Sequence, residues 1–102
     1  MFVEVVDGVG AVREAENLKA LSLRGSAADA ARDGALVPAV ADDGSHVWLA
    51  VAELKSRAAA TVADPAGWGE GFDGMIAYAG SKGWLNEAGD AVRAHVEPPT
   101  SA

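Results

Sequence analysis

Hydrophobic residues alternate with polar ones in several short segments, and this pattern predicts four β-strands. Residues 2–6 form a β-branched run, and residues 36–40 and 46–51 are two β-prone runs separated by a turn that contains Gly44. Residues 91–97 alternate so strictly that a strand is favoured over a helix, because side chains on a strand point to opposite faces in turn. The chain is therefore expected to contain an N-terminal strand, a central β-hairpin and a C-terminal strand.

Two helices are indicated in the first two thirds of the chain. Ser26 followed by Asp29 resembles a capping box, and Gly34 stands where a left-handed residue would end that helix. Residues 52–61 consist largely of helix formers, with the acidic residue near the start and the basic ones later, the order that the helix dipole prefers.

A third helix is predicted to begin at Asp64-Pro65, a capping aspartate followed by proline at the first helical position, and to end at Gly83. Within it, residues 69–74 (Gly-Glu-Gly-Phe-Asp-Gly) match the spacing of the dinucleotide fingerprint. The fingerprint requires a preceding strand that delivers the glycines to a helix N-terminus, and here two carboxylates lie inside the motif. We therefore predict no cofactor.

The segment between the first strand and the first helix has no single interpretation. Residues 11–17 favour a helix, whereas residues 18–23 either prolong that helix or form a strand, because their apolar spacing fits both. With a helix there, the element order is β-α-β-β-α-β, that of the ferredoxin-like sandwich. The predicted fold is then an α+β domain with two layers, an antiparallel sheet with helices on one face. A strand at 18–23 would add a fifth member and exclude the ferredoxin-like order.

Length and charge limit the organisation and the partners. The chain has 102 residues, which suits one domain over residues 1–97 followed by a flexible tail at 98–102. Its 8 basic residues are scattered among 15 acidic ones, giving a net charge of −7, so neither nucleic acid nor a membrane is expected as a partner. No run of apolar residues is long enough to span a bilayer, and a cytoplasmic location is the default expectation.

Conventional catalytic and metal motifs are missing from the sequence. Cysteine is absent, and the only two histidines, His46 and His95, lack ligand spacing, so we predict neither a metal site nor a thiol nucleophile. Ser45 precedes His46, but neighbouring residues on a strand point to opposite faces, and the two can meet only if the turn bends there.

The alternation of the last two strands predicts one candidate site. If Val47 and Leu49 face the helices, the residues between and beside them face the other side of the sheet, and the same rule applies around Ala94. A large aromatic residue, two imidazoles and a guanidinium then meet on the face without helices, where a tryptophan is costly to leave exposed. The predicted site residues are His46, Trp48, Arg93 and His95.

Three functions compete for this face. The first, which we prefer, is a non-catalytic interaction module in which two copies cover their sheets and form a homodimer. The alternative is a small dimeric ligand-binding protein or cofactor-independent enzyme, with Trp48 as an apolar wall, Arg93 as an anion clamp for a small molecule and a histidine as acid or base. The third is an inert face, with Trp48 covered by Trp84 or the tail and Arg93 paired with Glu97.

Overall fold

A computed structural model describes residues 1–41 and 43–97. The predicted tail at 98–102 and Asp42 of the predicted turn lie outside these described residues. Six strands and three helices follow one another along the described chain: β1 (Phe2–Val6), β2 (Val9–Arg13), β3 (Ser22–Arg24), α1 (Ala27–Ala30), β4 (Ala39–Val40), β5 (His46–Ala50), α2 (Val51–Ala59), α3 (Pro65–Ser81) and β6 (Ala91–Glu97).

The strands form one mixed sheet in the order β2-β1-β3-β6-β5-β4. β3 pairs in parallel with both β1 and β6, whereas the pairs β1–β2, β4–β5 and β5–β6 are antiparallel. The predicted α+β class is thus confirmed, but the wholly antiparallel sheet and the ferredoxin-like order are wrong. The reason is that the chain between β1 and α1 forms two strands instead of a helix.

The first of these strands results from a tight turn. Asp7 and Gly8 both have positive φ values, 52° and 75°, as a two-residue hairpin turn requires, and they fold Val9–Arg13 back along β1. Glu14, with φ 51°, then turns the chain away from the sheet. The helix predicted for residues 11–17 is therefore wrong, and of residues 18–23 only the last two belong to β3.

The predicted helix starts are confirmed. The Ser26 hydroxyl accepts a hydrogen bond from the Asp29 amide at 3.0 Å, and the Asp64 carboxylate accepts one from the Gly67 amide at 3.2 Å. α1 ends at Ala30, however, and Gly34 does not have a positive φ, so the predicted left-handed terminator is wrong. The glycines of residues 69–74 lie inside α3 and do not form a strand-to-helix turn.

One hydrophobic core joins the helices to a single face of the sheet. Alternate strand residues are fully buried together with residues of the helices, and the register keeps them on the same side. The opposite face, called the open face below, carries no helix. No helix in the described part of the chain is long and apolar enough to cross a membrane. The largest fully buried core side chains are Phe72, Leu23, Leu36, Leu49, Leu54, Val3 and Val47.

The outer edge of β2 is closed by an ion pair. Arg57 of α2 donates two hydrogen bonds to Asp33, at 2.6 and 3.0 Å, and a third to the Gly10 carbonyl at 3.0 Å. Asp33 in turn accepts a hydrogen bond from the Gly10 amide at 2.8 Å. The edge groups of Gly10 that a further strand would use are therefore occupied. The hydrogen bonds from Arg57 lower the pKa of Asp33 below its ordinary value.

Candidate functional site

The four predicted site residues form one patch on the open face. In the pairing of β5 with β6, His46 lies opposite His95, and Trp48 lies opposite Arg93. The Arg93 amide points away from β5 and donates a hydrogen bond to the Trp84 carbonyl. Both pairs are therefore of the non-hydrogen-bonded type. In such pairs the Cα atoms lie only about 4.5 Å apart. The patch, His46, Trp48, Arg93 and His95, is therefore a compact block of two adjacent cross-strand pairs.

The two imidazoles touch each other directly. Their ring centroids are 5.2 Å apart and the rings meet edge to face, with an angle of 68° between their planes. His46 is partly buried and His95 is exposed. The pair is thus held by the sheet and open to a partner or solvent on one side.

The turn before β5 does bend, and it brings two polar groups to His46. The Asp43 carboxylate lies 2.9 Å from His46 Nδ1, and the Ser45 hydroxyl lies 3.3 Å from the same nitrogen. In a serine hydrolase the carboxylate and the serine contact opposite nitrogens of the ring. Because both groups share Nδ1 here, the arrangement orients the ring and does not form a triad. The pKa of Asp43 is lowered from its ordinary value, mainly by the hydrogen bond from the Ser45 amide and secondly by the hydrogen bond with His46.

Trp48 borders a shallow depression of about 760 Å³, which we call the Trp48 groove. Small side chains make up much of its lining, and two acids lie at its rim. Trp48 is partly buried, with Ala39 of β4 opposite it on one side and Arg93 on the other. Trp84 packs instead against Tyr78, at 6.0 Å between ring centroids. The residues of the groove used below are Pro38, Ala39, Ala50, Glu87 and Asp90.

Further apolar and basic groups lie elsewhere on the open face. At one end, Val6 and Val9 face each other across the β1–β2 hairpin and are 58% and 60% exposed. Arg24 stacks 3.7 Å above the Phe2 ring, and Arg13 pairs with Glu4 at 3.5 Å. Two residues at the strand positions of the open face are acidic, Glu4 and Glu97. The basic residues at these positions are Arg13, Arg24, Arg93 and the two histidines. These strand positions thus carry three arginines and two glutamates, whereas the chain as a whole has a net charge of −7.

A cavity of about 590 Å³ lies between the second half of α3, residues 18–21 and the start of β6; we call it the α3 cavity. It arises because β6 changes partner along one edge. Its last residues pair with β3, whereas Val92 near its start pairs with Leu85. Residues 18–21, which precede β3, therefore do not pair with the start of β6. Arg93 lines this cavity, whereas Trp48 lines the Trp48 groove.

Trp84 and Lys19, which also line the α3 cavity, were not among the predicted site residues. The sequence offers one weak signal for Trp84, an aromatic residue directly after the glycine that ends α3. No signal marks Lys19, because its position depends on the course of an irregular segment. Among the described residues, no group of three His, Cys, Asp or Glu side chains is arranged to hold a metal ion.

Comparisons of the chain with protein-family models, with curated proteins and with solved structures find no match. The function is therefore inferred from the geometry of the open face and of the two depressions.

Proposed function

We propose that the protein is a non-catalytic self-associating module in which two copies bury their open faces against each other around Trp48. The observation that carries the proposal is a tryptophan on a sheet face without helices, beside a groove lined largely by small side chains. Trp48 stands next to the exposed Ala39 and the partly exposed Ala50, whose small methyl groups leave room for an aromatic side chain of a second copy. Aromatic anchors in such pockets dominate many protein interfaces.

The sheet edges support association through the face and not through strand addition. At the β2 edge, the amide and carbonyl of Gly10 are occupied by Asp33 and Arg57. At the other edge, β4 has only two residues and follows Pro38, which has no amide proton to donate. Among the described residues, neither edge offers a row of free groups to a second sheet, so the face is the better surface.

The charges around Trp48 suit a twofold dimer. Glu87 and Asp90 line the Trp48 groove just before β6, whereas Arg93 and His95 follow further along β6, opposite Trp48 and His46. In a closed dimer each surface meets its own copy in the reversed direction. A twofold axis near Trp48 therefore places Glu87 and Asp90 of one copy near Arg93 and His95 of the other. Such complementarity fixes the register of an interface.

The second candidate function, a ligand-binding protein or cofactor-independent enzyme acting on this face, has less support. Trp48 and Arg93 line separate depressions, and Asp43 and Ser45 contact the same nitrogen of His46. An acid or base with a positioned substrate would need these groups to converge. We therefore keep the enzyme as the alternative only.

The test is the mass in solution of the wild type and of Trp48→Asp, measured by light scattering over a wide concentration range. We expect a dimer for the wild type and a monomer for Trp48→Asp, because an unpaired carboxylate buried in the contact costs several kcal/mol. Tyr78→Asp is the matched control, since Tyr78 is an aromatic residue 58% exposed on α3, away from the open face, and this variant should remain a dimer.

Ala39→Asp provides a second variant whose folding is safer, because Ala39 is exposed on the edge strand β4 and lies opposite Trp48. It should weaken the dimer without loss of the circular dichroism of the wild type. A wild type that stays monomeric at every concentration, or a folded Trp48→Asp that remains dimeric, would refute the proposal.

A further inference from the structure

The lining of the α3 cavity is largely apolar, and its charged side chains are two cations. Leu18, Leu21, Met75, Ile76, Trp84 and Val92 supply most of the apolar surface. The volume of about 590 Å³ falls within the range of sites for small molecules, which are mostly apolar with a few polar groups. This composition selects a ligand with an apolar body.

The charged groups of the cavity are Lys19 and Arg93, and none of the described residues that line it is acidic. This is unusual in a chain with 15 acidic and 8 basic residues. Within the described part of the chain, neither side chain donates a hydrogen bond or forms an ion pair. Both cations are therefore available to an anionic group on a ligand.

The planar guanidinium of arginine matches a carboxylate with two parallel hydrogen bonds. A singly charged head group suits the cavity better than a doubly charged phosphate, because the whole chain carries a net charge of −7. We propose that the α3 cavity binds a small apolar carboxylic acid, with its hydrocarbon body between α3 and Trp84 and its carboxylate at Arg93 and Lys19. Arg93 belongs both to the lining of this cavity and to the open face opposite Trp48, so the carboxylate lies beside the proposed dimer contact, whereas the apolar part of the site does not include Trp48.

The probe is octanoate at neutral pH, with 1-octanol as the uncharged control and octylammonium as the cationic one. Binding is measured by calorimetry and by the three indole N–H signals in a two-dimensional NMR spectrum. Octanoate should shift the Trp84 signal and leave that of Trp68 unchanged, because the Trp68 indole donates to the Ala15 carbonyl at 2.7 Å in the core. Octanol should bind more weakly and octylammonium weakest.

Arg93→Gln should weaken octanoate binding about tenfold or more and leave octanol binding unchanged, because only a charge-assisted hydrogen bond is lost. Arg13→Gln is the matched control, since Arg13 is an exposed arginine on β2 outside the cavity, and it should bind octanoate like the wild type.

Gly74→Leu tests the cavity itself. A Cβ at Gly74 meets no atom within 4 Å, and leucine favours a helix over glycine, so the variant should melt at no lower temperature than the wild type. Its side chain should fill the cavity and abolish the binding of both octanoate and octanol. Equal binding of the three probes, an unmoved Trp84 signal, or unchanged octanoate binding by Arg93→Gln would each overturn the proposal.

Discussion

Replacing Arg57 by methionine tests how the outer edge of β2 is held. Methionine keeps the apolar part of the side chain but removes the guanidinium, which donates to Asp33, to the Gly10 carbonyl and to Glu53. Asp33 then retains its hydrogen bond from Gly10 but has lost its ion-pair partner. The side chain of Asp33 is 10% exposed and that of Arg57 25% exposed, so water reaches the remaining carboxylate poorly.

The expected cost follows from these contacts. Removing one member of a buried pair costs about 3–5 kcal/mol, because an uncompensated charge is left behind. The partial exposure of Arg57 reduces this value, and we expect the free energy of unfolding to fall by about 2–3 kcal/mol. That is a large part of the roughly 5–15 kcal/mol by which small domains are stable.

The assay is urea denaturation followed by circular dichroism, in which the loss appears as a lower midpoint with an unchanged slope. Arg32→Met is the matched control, because the pair of Arg32 with Asp29 is also 3.0 Å long but the arginine side chain is 66% exposed. We expect it to change stability by less than about 1 kcal/mol. An equal loss of unfolding free energy in the two variants would refute the reasoning that the pair of Arg57 with Asp33 contributes more to stability because it is buried.

Two further predictions concern the same edge. The pKa of Asp33 is lowered in the folded protein. Its contribution to stability is therefore present above the unfolded-state pKa of about 3.9 and is lost as pH falls through the folded-state pKa. Urea midpoints measured across this pH range should fall more steeply for the wild type than for Asp33→Asn. A Cβ on Gly10 would lie 2.7 Å from Leu36 Cδ2 and 2.9 Å from Val3 Cγ1, so Gly10→Ala should lose about 1–3 kcal/mol in thermal unfolding. Gly34→Ala, where a Cβ meets nothing within 4 Å, should be neutral or gain about 0.4–1 kcal/mol, and a loss equal to that of Gly10→Ala would contradict the packing argument.

Local signals in the sequence were sufficient for most elements. The capping residues Ser26 and Asp64 determine where helices begin because their side chains accept backbone hydrogen bonds within the same turn. The alternation of β5 and β6 is equally local, and it placed Trp48 and Arg93 on one face before their register was known. These features depend on residues only a few positions apart.

The sheet order could not be predicted because it depends on contacts between distant residues. β3 has three residues, and its parallel pairing joins Ser22 to Phe2 on one side and to His95 on the other. Such a short segment carries no periodicity of its own. The dipeptide Asp7-Gly8 is typical of a hairpin turn, but the helix-forming residues after it favoured the wrong interpretation of β2.

The two depressions also differ in how far they could be predicted from the sequence. The patch around Trp48 follows from alternation along two strands, whereas the α3 cavity depends on where β6 changes partner from Leu85 to β3. Likewise, nothing in the sequence joins Arg57 to Asp33, which lie 24 positions apart on different elements. Clusters of this kind become visible only when the fold is known.

The most direct test of the proposed dimer is an isotope-filtered NMR experiment on a mixture of ¹³C-labelled and unlabelled protein, which detects contacts between copies only. We predict contacts from the Trp48 ring of one copy to the methyl groups of Ala39 and Ala50 of the other, because both alanines border the Trp48 groove and neither is buried. A spectrum without contacts between copies, or with contacts confined to the helices, would contradict the claim that a second copy covers the open face.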